Sequence, residues 1–280
     1  MSNAVPTLVL NNGVEIPQVG LGVFQAKEGD EVEKAVAVAL EAGYRLIDTA
    51  AIYGNEVGVG KAMKASGLPR EEIFLTTKLW NAHHSYDDAL RAFDESLTKL
   101  DCGGYVDLYL IHWPLPMEGK FTEAWKALEH LYESERVRAI GVSNFKPHHL
   151  EVLLEQAQTV PAVNQIELHP MLQQKETRAF CLEQGIAVES YSPLMQAKEA
   201  LAHPVIAGLA EKYGKTPAQV ILRWHVQSGF IVIPKSVTAE RIRENIALFD
   251  FALTEDDMRA TEGLDRGQRI GADPDTASFK

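Results

Sequence analysis

The sequence predicts an α/β protein, a closed (β/α)8 TIM barrel with an N-terminal β-hairpin and an extra C-terminal helix. From Gly20 onward, eight short apolar stretches alternate with segments of helical period, the pattern of parallel strands joined by crossover helices. The stretches are near-continuously apolar, as in "VDLYLI", which suits strands covered on both faces. An open doubly wound sheet shares this alternation, but eight units without a composition break, linker or low-complexity tract favour closure. At 280 residues and 46% hydrophobic content the chain can bury one large core. Residues 1–280 are expected to form a single domain.

Taken in order, residues 7–18, "TLVLNNGVEIPQ", place Asn12-Gly13 between two short extended runs, the chemistry of a tight type I′ hairpin turn. The barrel strands follow as "GLGVF", "RLIDTA", "IFLTTKL", "VDLYLIHW", "RAIGVSNF", "AVNQIELH", "AVESYSPL" and "FIVIPKS". Between them, "DEVEKAVAVALEAG" and "SYDDALRAFDESLTKL" carry apolar residues at three- and four-residue intervals, with Gly43 placed to end the first helix. "LTEDDMRATEGL" forms the last helix, and only the short tail "DRGQRIGADPDTASFK" remains after it.

Composition excludes several function classes. The net charge of −12 comes from acids spread along the chain without a basic cluster, which argues against nucleic-acid or membrane-surface partners. Cys102 and Cys181 are isolated and fit no metal spacing; buried packing roles in a reducing compartment are expected. The first residues lack a charged segment followed by a long apolar core, and no apolar run approaches the roughly 20 residues of a membrane span, so a soluble, cytoplasmic protein is expected.

Two local patterns imitate known sites. "GNEVGVGKAM" has Asn55 and Ala62 where a Walker A loop requires Gly and Ser or Thr, and Met63 where a dinucleotide fingerprint requires Gly or Ala. Gly58 and Gly60 are expected to permit close helix packing instead. The pairs His83-His84 and His148-His149 lack a matching carboxylate cluster in the sequence, so exposed loop histidines and no metal site are expected.

In a (β/α)8 barrel, chemistry is built at the carboxyl ends of the strands. Strand two delivers Asp48 with Tyr53 just beyond it, strand three ends at Lys78, and strand four ends at His112 before Trp113. Ser143 and Asn144 end strand five, Gln165 and Glu167 lie on strand six, Tyr191 and Ser192 on strand seven, and Lys235 and Ser236 end strand eight. Asp48 and Lys78 alone would form a buried ion pair. With a phenol and an imidazole beside them, they make proton-transfer chemistry. A cation about 4 Å from the phenol stabilises its anion by about 4 kcal/mol at an effective dielectric of ~20. Lys78 supplies that cation, Asp48 holds it, and His112 hydrogen-bonds an incoming carbonyl oxygen, a set suited to protonating a developing oxyanion. Lys235 and Ser236 precede a helix opening near Thr238, with Arg241 one turn in, an arrangement that attracts an anion.

The blocks "GYRLIDTAAIYGNE", "DLYLIHWP", "IGVSNF", "AVNQIELHP" and "IPKSVTAERIRENI" resemble, in order and over nearly the whole length, the aldo-keto reductases. "TTKLWN" and "KTPAQVILRWH" are most similar to the bacterial branch that includes 2,5-diketo-D-gluconate reductases. The resemblance implies NADPH-dependent reduction of aldehydes and ketones, small dicarbonyls among them, with a catalytic tetrad of Asp48, Tyr53, Lys78 and His112. It implies that Ser143, Asn144 and Gln165 hold the nicotinamide carboxamide, that Tyr191 stacks on the ring, and that Ser192 and Leu194 line the pyrophosphate path. Lys235, Ser236, Val237 and Arg241 then meet the 2′-phosphate region, and Glu244 and Asn245 the adenine. Phe24, Trp80, His112 and Trp113 match the apolar carbonyl pocket, which a short tail is expected to leave open. "PLMQAKEALAHP" is brief where some relatives have a longer loop over the cofactor. A monomer is expected. Two alternatives stay open: a Schiff-base lyase using Lys78, and a non-catalytic NADPH-binding redox sensor.

Overall fold

The computed structural model describes residues 5–197 and 199–279. Its centre is an eight-stranded parallel sheet in chain order. Counting the hairpin strands β1 (Thr7–Val9) and β2 (Glu15–Pro17) first, the sheet runs through β3 (Leu21–Gly22), β4 (Leu46–Asp48), β5 (Phe74–Leu79) and β6 (Val106–Ile111). It continues through β7 (Val137–Ser143), β8 (Val163–Glu167), β9 (Ala187–Tyr191) and β10 (Ile231–Val232).

The first and last strands meet and close the barrel: Gly20 N–H donates to Val232 O at 2.9 Å, Val232 N–H to Gln18 O at 2.9 Å, and Gly22 N–H to Pro234 O at 3.2 Å. β10 is shorter than "FIVIPKS" suggests; Pro234 has no N–H to extend a ladder. A Cβ on Gly22 would lie 3.0 Å from Ile233 O, so any larger residue there would crowd the seam.

Alternation along each strand sorts the core. Leu46, Leu108 and Leu110 pack inside the barrel with Phe74 and Ile231, whereas Ile47, Tyr109 and Ile111 face the helices. Leu10 and Ile16 of the hairpin join the inner cluster and plug its floor. The hairpin turn differs from the expected type I′. Gly13 alone in the loop has positive φ, 83°, and Leu10 N–H donates to Val14 O. Type I′ requires positive φ at both central residues. The longer loop relieves Asn12 of that conformation and lets its Nδ2 donate to Arg138 O at 2.9 Å, fastening the hairpin to β7.

The crossover helices are α1 (Asp30–Glu41), α2 (Glu56–Ala65), α3 (Tyr86–Leu100), α4 (Phe121–Glu133), α5 (Pro147–Leu154) and α6 (Lys175–Glu183). A short α7 (Glu199–Ala202) leads to α8 (Pro204–Tyr213) and α9 (Pro217–Gln227); α10 (Ala239–Ile246) and the extra α11 (Glu255–Glu262) follow. Gly43, at φ 100°, ends α1 as expected: its N–H donates to Leu40 O and that of Tyr44 to Ala39 O, the paired bonds of a Schellman cap. No described helix is long and apolar enough to cross a membrane.

Gly60 permits close packing. A Cβ there would lie 1.9 Å from the carbonyl oxygen of Leu100, at the end of α3, and one on Gly58 would lie 2.4 Å from Val32 Cγ1 in α1. In Gly60→Ala the obstacle is backbone, so α2 and α3 must separate. Overpacking of this kind costs about 1–3 kcal/mol, more than the ~1 kcal/mol of helix propensity that alanine restores. A melting temperature lower by several degrees is expected by calorimetry; an unchanged value would show that the helices yield freely.

Candidate active site

The end of β4 and the end of β5 bring the acid and the base together. Lys78 Nζ lies 2.7 and 2.8 Å from the two Asp48 oxygens and 2.8 Å from Thr49 O, with no solvent exposure. Tyr53 closes a short helical turn after β4, and its hydroxyl is 3.5 Å from the same ammonium. His112 follows β6, its ring centroid 5.8 Å from that of Tyr53 in an edge-on arrangement. All members of the expected tetrad therefore meet at one mouth of the barrel.

Burial opposes the Lys78 charge, but Asp48, Tyr53 and Glu189 outweigh it and raise its pKa above the usual lysine value. Burial likewise raises the pKa of Tyr53, with Lys78 pulling the other way. The pull of the cation is the expected one, but in the free chain desolvation wins, and the phenol stays protonated at neutral pH. His112 is held well below the usual imidazole range by burial and by Lys78. The neutral ring retains one N–H to offer an oxygen.

A cavity of about 830 Å³ extends from this cluster, near the upper end for ligand sites. Asp48, Tyr53 and His112 line it, as do Ser143, Asn144, Gln165, Tyr191, Ser192 and Leu194. Lys78 lies behind its partners, outside the lining. Tyr191 Oη donates to Asn144 Oδ1 at 2.7 Å, and Asn144 Nδ2 donates to His112 O at 2.9 Å, so one amide ties three strand ends together. Asn144 (φ 66°) and Ser192 (φ 50°) are left-handed, a strained conformation characteristic of functional loops.

Lys235, Ser236, Arg241, Glu244 and Asn245 line the same cavity. Val237 is exposed and does not. Among the described residues neither Lys235 nor Arg241 forms an ion pair, whereas the neighbouring Arg243 reaches Glu41 at 3.7 Å. Thr238 makes no side-chain cap to α10, so the helix opens with free amides.

Phe24, Trp80 and Trp113 also line the cavity, joined by Phe279. The tail corrects the expectation of an open site. Glu167 accepts from Ile270 N–H at 2.7 Å and Gly271 N–H at 2.9 Å, and Lys146 Nζ is 2.6 Å from both Asp273 and Asp275. Asn81 Nδ2 donates to Phe279 O at 2.8 Å, and the Phe279 ring stacks on Trp80 with centroids 6.0 Å apart. Despite its brevity, the tail is anchored over the mouth. In "PLMQAKEALAHP", Gln196 and Leu201 line the cavity; Lys198 lies outside the described residues.

The histidine pairs are only half exposed. His84 and His149 are each 2% exposed, unlike His83 and His148. His148 Nε2 lies 2.9 Å and His149 Nε2 3.1 Å from Asp275 Oδ1, a carboxylate more than a hundred residues away in the chain. His149 Nδ1 accepts from Lys146 N–H, closing the start of α5. That bond leaves the neutral ring's proton on Nε2, which is close to Asp275 but makes no hydrogen bond to it, while Lys146 holds the other carboxylate oxygen.

One site residue went unread. Glu189 Oε2 accepts from Gln165 Nε2 at 2.9 Å, and the same nitrogen donates to Asp48 Oδ2 at 2.8 Å. Burial, reinforced by Asp48, pushes the Glu189 pKa up to about 8. Its signal was available: Glu189 lies two residues before Tyr191, and residues two apart share one face of a strand.

The fold and the site together are a parallel barrel with a buried carboxylate–ammonium–phenol cluster at its carboxyl mouth. The model of the aldo/keto reductase family matches residues 18–266. An aldo-keto reductase of Mycolicibacterium smegmatis is 55% identical over 274 residues, 98% of each chain. The methylglyoxal reductase DkgA of Escherichia coli is 49% identical over 97% of this chain and 98% of its own. The crystal structure of a Gox0644 mutant in complex with NADPH superposes with a TM-score of 0.94 at 48% identity, covering 99% of this chain and 100% of the other. The chain belongs to the aldo/keto reductase family.

Proposed function

We propose that this protein reduces aldehydes and ketones, small dicarbonyls among them, with NADPH, and that Tyr53 is the general acid. The reading rests on one observation: Tyr53, whose hydroxyl is 3.5 Å from the Lys78 ammonium, lines the cavity that also takes in Lys235 and Arg241, neither of them ion-paired among the described residues. When bound, NADPH supplies a hydride to the carbonyl carbon. Tyr53 gives its proton to the oxygen, Lys78 stabilises the phenolate left behind, and His112 donates to the oxygen while charge develops. Asp48 keeps the ammonium oriented. The phenolate regains its proton from solvent through the cavity.

The cationic part of the cavity fits a phosphate. Among the described residues Lys235 and Arg241 form no ion pair, and α10 has no side-chain cap at Thr238, a combination that favours an anion. In this reading Ser143, Asn144, Gln165 and Tyr191, which line the cavity, hold the nicotinamide, Ser192 and Leu194 the pyrophosphate, Ser236 the phosphate, and Glu244 and Asn245 the adenine. Phe24, Trp80, Trp113 and Phe279 form the apolar wall against a small carbonyl. Schiff-base chemistry finds less support: Lys78 spends its protons on Asp48 and Thr49 as an ammonium, and nucleophilic attack requires the free amine. The buried, unpaired Cys102 and Cys181 suit work in the reducing cytoplasm; we assign it to a monomer.

Cofactor absorbance, followed with methylglyoxal, 2,5-diketo-D-gluconate and simple aldehydes under NADPH and NADH, tests the reading. Turnover with NADPH is expected, and none across the panel would move the protein to a binding role. Arg241→Ala should raise KM for NADPH about tenfold, the scale of a charged hydrogen bond, and leave NADH within twofold. Equal losses for both would contradict the phosphate assignment.

A further inference from the structure

The Gln165 amide stands between two carboxyl groups. Its Nε2 donates to Asp48 Oδ2 at 2.8 Å and to Glu189 Oε2 at 2.9 Å. The Asp48 carboxylate fixes which end of the amide is nitrogen, because a carbonyl oxygen facing it would be repelled. Both N–H bonds are thereby committed. Gln165 lines the cavity, and its carbonyl oxygen Oε1 is what remains to meet a ligand there.

Asp48 is already held by Lys78, so its place is set without Gln165. Glu189 has no such partner. It lies on β9 directly opposite Gln165 of β8, is fully buried, and does not line the cavity. The charged and titratable groups that face it are Asp48 from β4, Lys78 from β5 and Tyr53 from the turn after β4. Its Oε1 is buried without a hydrogen-bond partner. Barrel interiors are ordinarily filled by branched apolar side chains, and a buried carboxyl group with an orphaned oxygen is costly. Among the described residues its hydrogen bond is the one to Gln165. Burial and Asp48 push its pKa up to about 8, so at neutral pH it is mainly the uncharged acid, a form that still accepts through Oε2.

We propose that Glu189 is a positioning residue for the cofactor, holding the Gln165 amide so that Oε1 is presented to the carboxamide –NH2 of the nicotinamide. The proposal rests on the NADPH reading above. Without an acceptor at position 189, one Gln165 N–H loses its partner, and only the bond to Asp48 Oδ2 is left to keep Oε1 turned toward the cofactor.

The test is binding, independent of turnover. NADPH and adenosine 2′,5′-bisphosphate, which lacks the nicotinamide, are titrated calorimetrically into the wild type, Glu189→Gln and Glu189→Leu. Glu189→Leu is expected to weaken NADPH about fivefold or more and to leave the bisphosphate within twofold. Glu189→Gln, whose amide oxygen can accept in place of the carboxyl, should keep both within twofold. Equal weakening of both ligands by Glu189→Leu, or of neither, would overturn the proposal. If Glu189→Leu does not fold, Glu189→Met is read the same way; a chain that folds with neither but is stable with Gln makes Glu189 a structural residue and also overturns it. Failure of the wild type to bind either ligand would strike the NADPH reading itself, a separable outcome.

Discussion

Tyr53→Phe is expected to lower kcat by about 10²–10⁴-fold, the range that a positioned general acid contributes, while NADPH affinity stays within twofold. The substitution removes one hydroxyl and leaves the ring. Lys78 keeps Asp48 and Thr49 O at 2.7–2.8 Å, so the cluster beneath the phenol is not left with an unpaired charge. The ring retains its contact with Phe24, at a centroid distance of 5.0 Å. Fold and cofactor site should therefore survive. Steady-state rates beside a fluorescence titration of NADPH check the result. A variant that retains wild-type kcat would show that the proton comes from another group, and His112, held neutral with one N–H, would be the first to examine.

Lys78→Met should lose both turnover and stability. It strips the phenol of its cation and leaves Asp48 buried without a counter-charge. Breaking a buried pair from one side costs about 3–5 kcal/mol, read as a lower urea midpoint. Deprived of Lys78, Asp48 has its folded-state pKa raised above the unfolded value by burial. The penalty is then small at acid pH, where both states hold the proton, and grows as pH rises through the folded pKa. Combining Lys78→Met with Asp48→Asn removes the stranded charge and should recover much of the stability without turnover. A double variant no more stable than the single one would mean that the Lys78 stem, rather than its charge, carries the packing.

The strand ends were readable because a period of two is enforced by the barrel itself. Leu46 and Asp48 must face inward if Ile47 faces the helices, so an aspartate at that position enters the interior and requires a partner such as Lys78. The same rule applied to β9 would have paired Glu189 with Tyr191. The tail had no comparable rule. Its course depends on Glu167, Lys146 and Asn81, each more than a hundred residues earlier, and on backbone amides that any sequence could supply. His149 was misread for a related reason: whether a histidine in a loop is exposed depends on what the loop meets, here Asp275 of that tail. The hairpin turn shows the limit of local signals, since Asn-Gly is compatible with the longer loop as well as with the tight one.

The way the site is divided between scaffold and rim bears on how such a protein can be re-tuned. Asp48 and Lys78 are strand residues locked by their neighbours, whereas Phe24, Trp80 and Phe279 belong to connecting segments and the tail. Mutant libraries confined to those aromatic positions should therefore change which molecules are admitted while the machinery for delivering a proton stays intact, and libraries that reach into the strands should mostly yield inert protein.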